Sequence, residues 1–153
     1  MNNEFEQISL KSGFMKHNGG VLFKTISGNE YEFKTTINKN HLNAAGITHG
    51  GFIAALVDAG AGSAAHRSAD NNPCVTVSLE LKFISPVRLG QELIGNAKIQ
   101  KKTRSMVFLT CELTAANKIV ATASGVWKIL RKLPGAGPGS QWFINKYSRV
   151  SKN

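Results

Sequence analysis

Acidic residues are nearly missing from the last third of this 153-residue chain. Residues 98–153 hold eleven Lys or Arg against one carboxylate, Glu112, whereas residues 1–97 hold eight of each sign. The net charge of +10 therefore sits entirely at one end. A one-sided cationic surface attracts polyanions in general, so charge alone leaves nucleic acid, anionic lipid and a phosphate-bearing small molecule open. Cysteine is also scarce. Cys74 and Cys111 both lie in strand-like runs without a metal-ligand neighbour at suitable spacing, which argues against a disulfide scaffold or a zinc site. Both are expected buried and reduced. No run reaches the roughly 20 apolar residues of a membrane span, because Asp58 cuts the most apolar stretch and Gly60, Gly62 and Ser63 follow it. The first residues lack the positive patch and apolar core of a signal peptide, so the expected compartment is the cytoplasm.

An apolar content of 42% is enough for one packed domain, read here as residues 1–133. Residues 21–26 and 30–37 flank Ser27, Gly28 and Asn29 as a predicted hairpin. Residues 41–51 read as a glycine-rich loop, and residues 52–66 are long enough for a four-turn helix. That helix is apolar nearly all round, which predicts burial, and its small second half predicts close approach of a neighbouring backbone. Residues 74–83 alternate strictly, placing Val75, Val77, Leu79, Leu81 and Phe83 on one strand face. Three more strands, 92–102, 105–115 and 118–130, follow to make a four-strand meander. The fold class expected from this order is α+β, an antiparallel sheet with one long helix on it. Residues 134–153 read as a Gly/Pro linker and a flexible basic aromatic tail carrying Trp142, Phe143 and Tyr147.

The chemistry concentrates in one stretch. His41, Asn43, Gly46, His49, Gly50 and Gly51 precede the helix, and Asp58 lies among Ile53, Leu56, Val57 and Ala59. An aspartate in apolar company costs several kcal/mol unless something offsets its desolvation. Glycines that open a helix present backbone N–H groups without intrahelical partners, at the end where the dipole favours negative charge.

With that spacing, and with Thr76, Ser85, Pro86, Leu89 and Gly90 downstream, the chain resembles the hotdog-fold acyl-CoA thioesterases of the phenylacetic-acid-pathway (PaaI) type over roughly residues 13–130. The resemblance implies a hotdog fold, in which the sheet wraps around the central helix, and hydrolysis of an acyl- or aryl-acyl-CoA to the acid and free CoA. It also implies a homodimer or homotetramer with sites at the subunit interface and no metal or redox cofactor, coenzyme A being part of the substrate. Asp58 becomes the general base or nucleophile, the Gly50 N–H the oxyanion donor, and Asn43 and His49 the groups that orient the thioester and support the loop. Thr76 would hold the water or Asp58. Gly51, Gly46 and Phe83 would shape the substrate site, while Arg88, Lys101, Lys102 and Arg104 lie near turns that could meet the CoA phosphates. Phe52, Ile53, Leu56 and Ile84 are further candidates for the acyl pocket.

Other readings exist for the same residues. A hotdog dehydratase or hydratase would call for a different His and carboxylate pattern. A non-catalytic acyl-CoA sensor gives no reason to keep Asp58 beside Asn43. Nucleic-acid binding through the basic last third would show affinity that falls steeply with salt. Taken singly, His41 and His49 would each be turn or capping histidines.

Overall fold

The structure, a computed structural model, describes residues 4–130. Its elements run β1 (Glu6–Gln7), α1 (Phe14–His17), β2 (Leu22–Thr25), β3 (Glu30–Thr36), a 3-10 turn (Lys39–His41), α2 (Gly50–Ser68), β4 (Cys74–Phe83), β5 (Glu92–Lys102), β6 (Met106–Ala115) and β7 (Lys118–Ile129). Among the described residues one antiparallel sheet has the order β1-β2-β3-β5-β6-β7-β4, and α2 packs across one face of it. The α+β layout read from the sequence is present. The meander is not as expected, because β5, β6 and β7 form one but β4 leaves it to pair with β7 at the far edge. β5 takes the place beside β3, so residues 84–91 carry the chain across the sheet from one edge to the middle.

Local chemistry explains the turns. Ala116 and Asn117 both have positive φ, 48° and 60°, the two left-handed residues of a tight hairpin between β6 and β7. The helix starts two residues before its expected beginning because His49 caps it, its Nδ1 accepting the Gly51 N–H at 2.8 Å. At the other end Lys102 donates to the Ser68 carbonyl at 2.7 Å, a cation on one of the last unpaired carbonyls of the helix.

The small half of α2 is small because Phe33 lies against it. A Cβ on Gly60 would stand 2.2 Å from the Phe33 ring, and so would one on Gly95 of β5. The ring is thus gripped between helix and sheet, at the centre of a core that includes Phe23, Leu56, Leu93, Leu113 and Trp127. Phe52, Ile53 and Leu56 belong to this core rather than to an open pocket, and Phe52 stacks on the buried His41 ring at 3.7 Å. Burial of α2 is one-sided, against the expectation from its composition. Its alanines and glycines let one face pack on the sheet while Gly51 and Asp58 stay exposed.

Both cysteines are unpaired. Cys111 is buried and Cys74 half-buried, and β7 separates their strands. Burial pushes the Cys111 thiol up to about 12 and the Cys74 thiol to about 11. Among the described residues no helix is long and apolar enough to cross a membrane. The linker and tail expected over 134–153 lie outside the described residues.

Candidate active site

A bulge brings the carboxylate its partner. In β4, Thr76 pairs with Trp127 and Ser78 with Val126, leaving Val77 unpaired between them. The extra residue reverses the alternation, so Thr76 shares the helix-facing side with Leu79, Leu81 and Phe83, whose partners Gly125, Ala123 and Ala121 lie on the same inner face as Trp127. Strict alternation would have turned Thr76 away from α2. Instead its Oγ1 donates to Asp58 Oδ1 at 2.6 Å, a short hydrogen bond of the charge-assisted kind. Asp58 is exposed in the single chain, so the desolvation expected from its sequence neighbours is absent within one protomer.

The glycine turn is held from both sides. His49 donates its N–H to the His41 carbonyl at 2.7 Å, and Thr48 sends both its N–H and its Oγ1 to the Val87 carbonyl, each at 2.8 Å. His41 is a structural residue. Its Nδ1 accepts the Asn38 N–H at 3.1 Å, so Nε2 carries the proton that goes to the Asn18 carbonyl at 2.6 Å. Asn43 folds the loop through Oδ1, which accepts from the N–H groups of Ala45 (2.9 Å) and Ile47 (3.3 Å). Gly46, at φ +75°, makes the turn that those two bonds enclose.

Two neighbouring N–H groups at the helix start have different fates. Gly51 gives its own to the His49 ring, whereas no acceptor among the described residues takes that of Gly50. Phe83, 57% exposed, lies beside it, with ring carbons 3.5 Å from where a Gly50 Cβ would be. An open N–H at a helix N-terminus, walled by an aromatic ring, suits an anionic oxygen.

The remaining predicted residues are spread out. Arg88 lies near the helix start, beside the Val87 carbonyl that pins Thr48, and its N–H donates to Gln91 Oε1 at 2.7 Å. Lys101, Lys102 and Arg104 lie at the β5–β6 turn, by the helix end. Lys102 is committed to Ser68, and Lys101 pairs with Phe108, on the face opposite the inward Val107. The four cations do not form one patch in a single chain. Among the described residues no three His, Cys, Asp or Glu side chains gather at metal-binding distance. The bulge at Val77 was not read from the sequence, and a capping role for His49 was read only for the residue taken singly, the family resemblance giving it the loop and the thioester instead. Histidine is an uncommon N-cap, and an alternating strand shows no mark of where its ladder slips.

The family model described as Thioesterase superfamily matches residues 45–122, from the loop into β7. A Pseudomonas aeruginosa protein whose name carries the word esterase is 35% identical over 94 residues, 61% of this chain and 70% of that one. Human acyl-coenzyme A thioesterase 13 is 31% identical over 87 residues, and the match covers 56% of this chain and 62% of the human protein. The structure of the E. coli PaaI protein from the phenylacetic acid degradation operon superposes with a TM-score of 0.70 at 19% identity, covering 76% of this chain and 83% of that one.

Proposed function

The chain belongs to the thioesterase superfamily, a hotdog-fold thioester hydrolase, and from that premise we propose that it hydrolyses acyl-CoA thioesters with Asp58 as general base and the Gly50 N–H as oxyanion donor. The observation that carries this reading is the Thr76–Asp58 hydrogen bond on the open side of α2. Thr76 fixes Oδ1, leaving Oδ2 to take a proton from water while the threonine oxygen accepts from the same water. The water oxygen bonds to the thioester carbon and its proton passes to Asp58. Negative charge moves to the carbonyl oxygen, where a preorganised donor is typically worth about 3 kcal/mol. Collapse breaks the C–S bond, and the departing thiolate recovers the proton.

Geometry within one chain does not let Asp58 and Gly50 serve the same carbonyl. Eight residues of helix separate them by about 12 Å, while attacking water and oxyanion donor must both lie about 3 Å from one reacting group. A second copy resolves this. β4 is an edge strand with Val77 and Phe83 exposed, and its two ends carry the two halves of the site, Thr76 with Asp58 and Phe83 beside Gly50. Antiparallel pairing of two β4 strands about a twofold near Leu79 and Glu80 would set the Gly50 end of one protomer beside Asp58 of the other. The same operation would carry Arg88 of one chain toward Lys101 and Arg104 of the other, where CoA phosphates need cations.

The test is release of free thiol from acetyl-, hexanoyl-, decanoyl-, palmitoyl-, benzoyl- and phenylacetyl-CoA by the parent, Asp58→Asn and Asp58→Ala. Loss of about 10³-fold in kcat in both variants, with unchanged melting, is expected. Acyl-CoA binding without turnover in the parent, or variants that keep its rate, would overturn the assignment. A monomer that turns over at full rate would overturn the shared site. Oxygen-18 from labelled water appearing in Asp58 after a single turnover would replace the general base by a carboxylate nucleophile.

A further inference from the structure

The residues proposed for the reaction leave one surface unexplained, at the opposite edge of the sheet from β4. Between β1 and β2 the chain makes a projecting loop, residues 8–17, ending in the single turn of α1. Ile8 and Met15 anchor it against the core. The Gly20 N–H, donating to the Met15 carbonyl at 2.7 Å, closes it. Leu10 and Phe14 project from it at 69% and 63% exposure, the two most exposed large apolar side chains among the described residues. Neither is needed for packing within the chain, and a subunit contact through β4 would leave both at the outer edges of the pair.

Charge identifies the occupant. No Asp or Glu occurs between Glu6 and Glu30, while Lys11, Lys16 and His17 lie in or beside the loop. Apolar tips set in a cationic surface suit a lipid interface, where the side chains enter the headgroup boundary and the lysines meet anionic headgroups. We infer that the Leu10–Phe14 loop docks this protein on anionic membrane surfaces. One loop with two apolar residues gives weak, reversible attachment. Two loops at the ends of one dimer act together, since the second engages at the high effective concentration set by the first. For an enzyme acting on acyl thioesters, which are themselves amphiphiles, such attachment places the site where long-chain substrates collect.

Flotation of the full chain with phosphatidylcholine vesicles, with and without phosphatidylglycerol, tests the inference. The bound fraction is expected to rise about tenfold with the anionic lipid and to return to the neutral-vesicle value in the Leu10→Ser/Phe14→Ser double variant. Lys16→Glu is expected to lower it several-fold. No enrichment on anionic vesicles, or enrichment that the double variant retains, would overturn it. A change in the double variant's molecular mass in solution would also overturn it, by making the loop a contact between subunits. Hexanoyl-CoA hydrolysis without vesicles is expected unchanged in the double variant, so docking and the proposed reaction can fail separately.

Discussion

The two sides of α2 follow opposite rules although their residues look alike. On the side facing the sheet, Gly60 meets the Phe33 ring so closely that the missing Cβ is a steric requirement. On the side carrying Asp58, one turn on at Gly62, a Cβ would stand 3.4 Å from the Trp127 indole nitrogen, at the limit of ordinary contact. That nitrogen is itself buried without a hydrogen-bond partner among the described residues. The helix is closed by the core at Gly60 and meets the core again at Gly62, while Gly51 and Asp58 stand exposed. Small residues in a helix are thus no evidence of which side is buried. Each side meets an aromatic ring, and what separates them is distance: a Gly60 Cβ would stand 2.2 Å from Phe33, a Gly62 Cβ 3.4 Å from Trp127.

Substitutions can break this comparison. The largest effect is expected from Gly60→Ala, whose methyl group cannot be placed without moving Phe33 off Gly95. A loss of about 3 kcal/mol by urea unfolding is expected, at the upper end for overpacking. A loss under about 1 kcal/mol would show that the Phe33 grip is slack. On the open side, Thr76→Val keeps the shape and removes the hydroxyl that holds Asp58 Oδ1. Thioester turnover is expected to fall roughly 10- to 100-fold, with stability within about 1 kcal/mol of the parent. An unchanged rate would leave Thr76 as packing only. The smallest effect belongs to Gly62→Ala, where up to about 1 kcal/mol of helix propensity is gained against a tight contact with Trp127. Unfolding free energy equal to or above that of the parent is expected. A loss like that of Gly60→Ala would make the two faces equivalent and overturn the comparison.

Much of the fold was legible in the chain. The β2–β3 hairpin, the helix, the four later strands and the Ala116–Asn117 turn follow from local signals, whose range is a few residues. The place of β4 was not, because consecutive strands in sequence more often pair than not, and here β5 is drawn to β3 instead. For the candidate site, His49, Gly50 and Asp58 were singled out through the fixed spacing of a loop that opens a helix, and the structure places that loop and helix as read. The spacing did not show that the His49 ring takes up the Gly51 N–H, while that of Gly50 has no acceptor among the described residues. Lys102 read as a phosphate ligand because a turn lysine usually faces water, but the helix end that claims it is far away in sequence.

The sequence by itself determined which residues can do chemistry and which segments are helix or strand, since composition and short-range periodicity act through neighbouring residues. Tertiary structure alone decided that Thr76 faces Asp58. A one-residue bulge, imposed by pairing with β7, turns the hydroxyl from one side of the sheet to the other. It also decided that Asp58 stands exposed, because burial is a relation between surfaces brought together by the fold, and the surface facing Asp58 is not supplied by the described part of this chain.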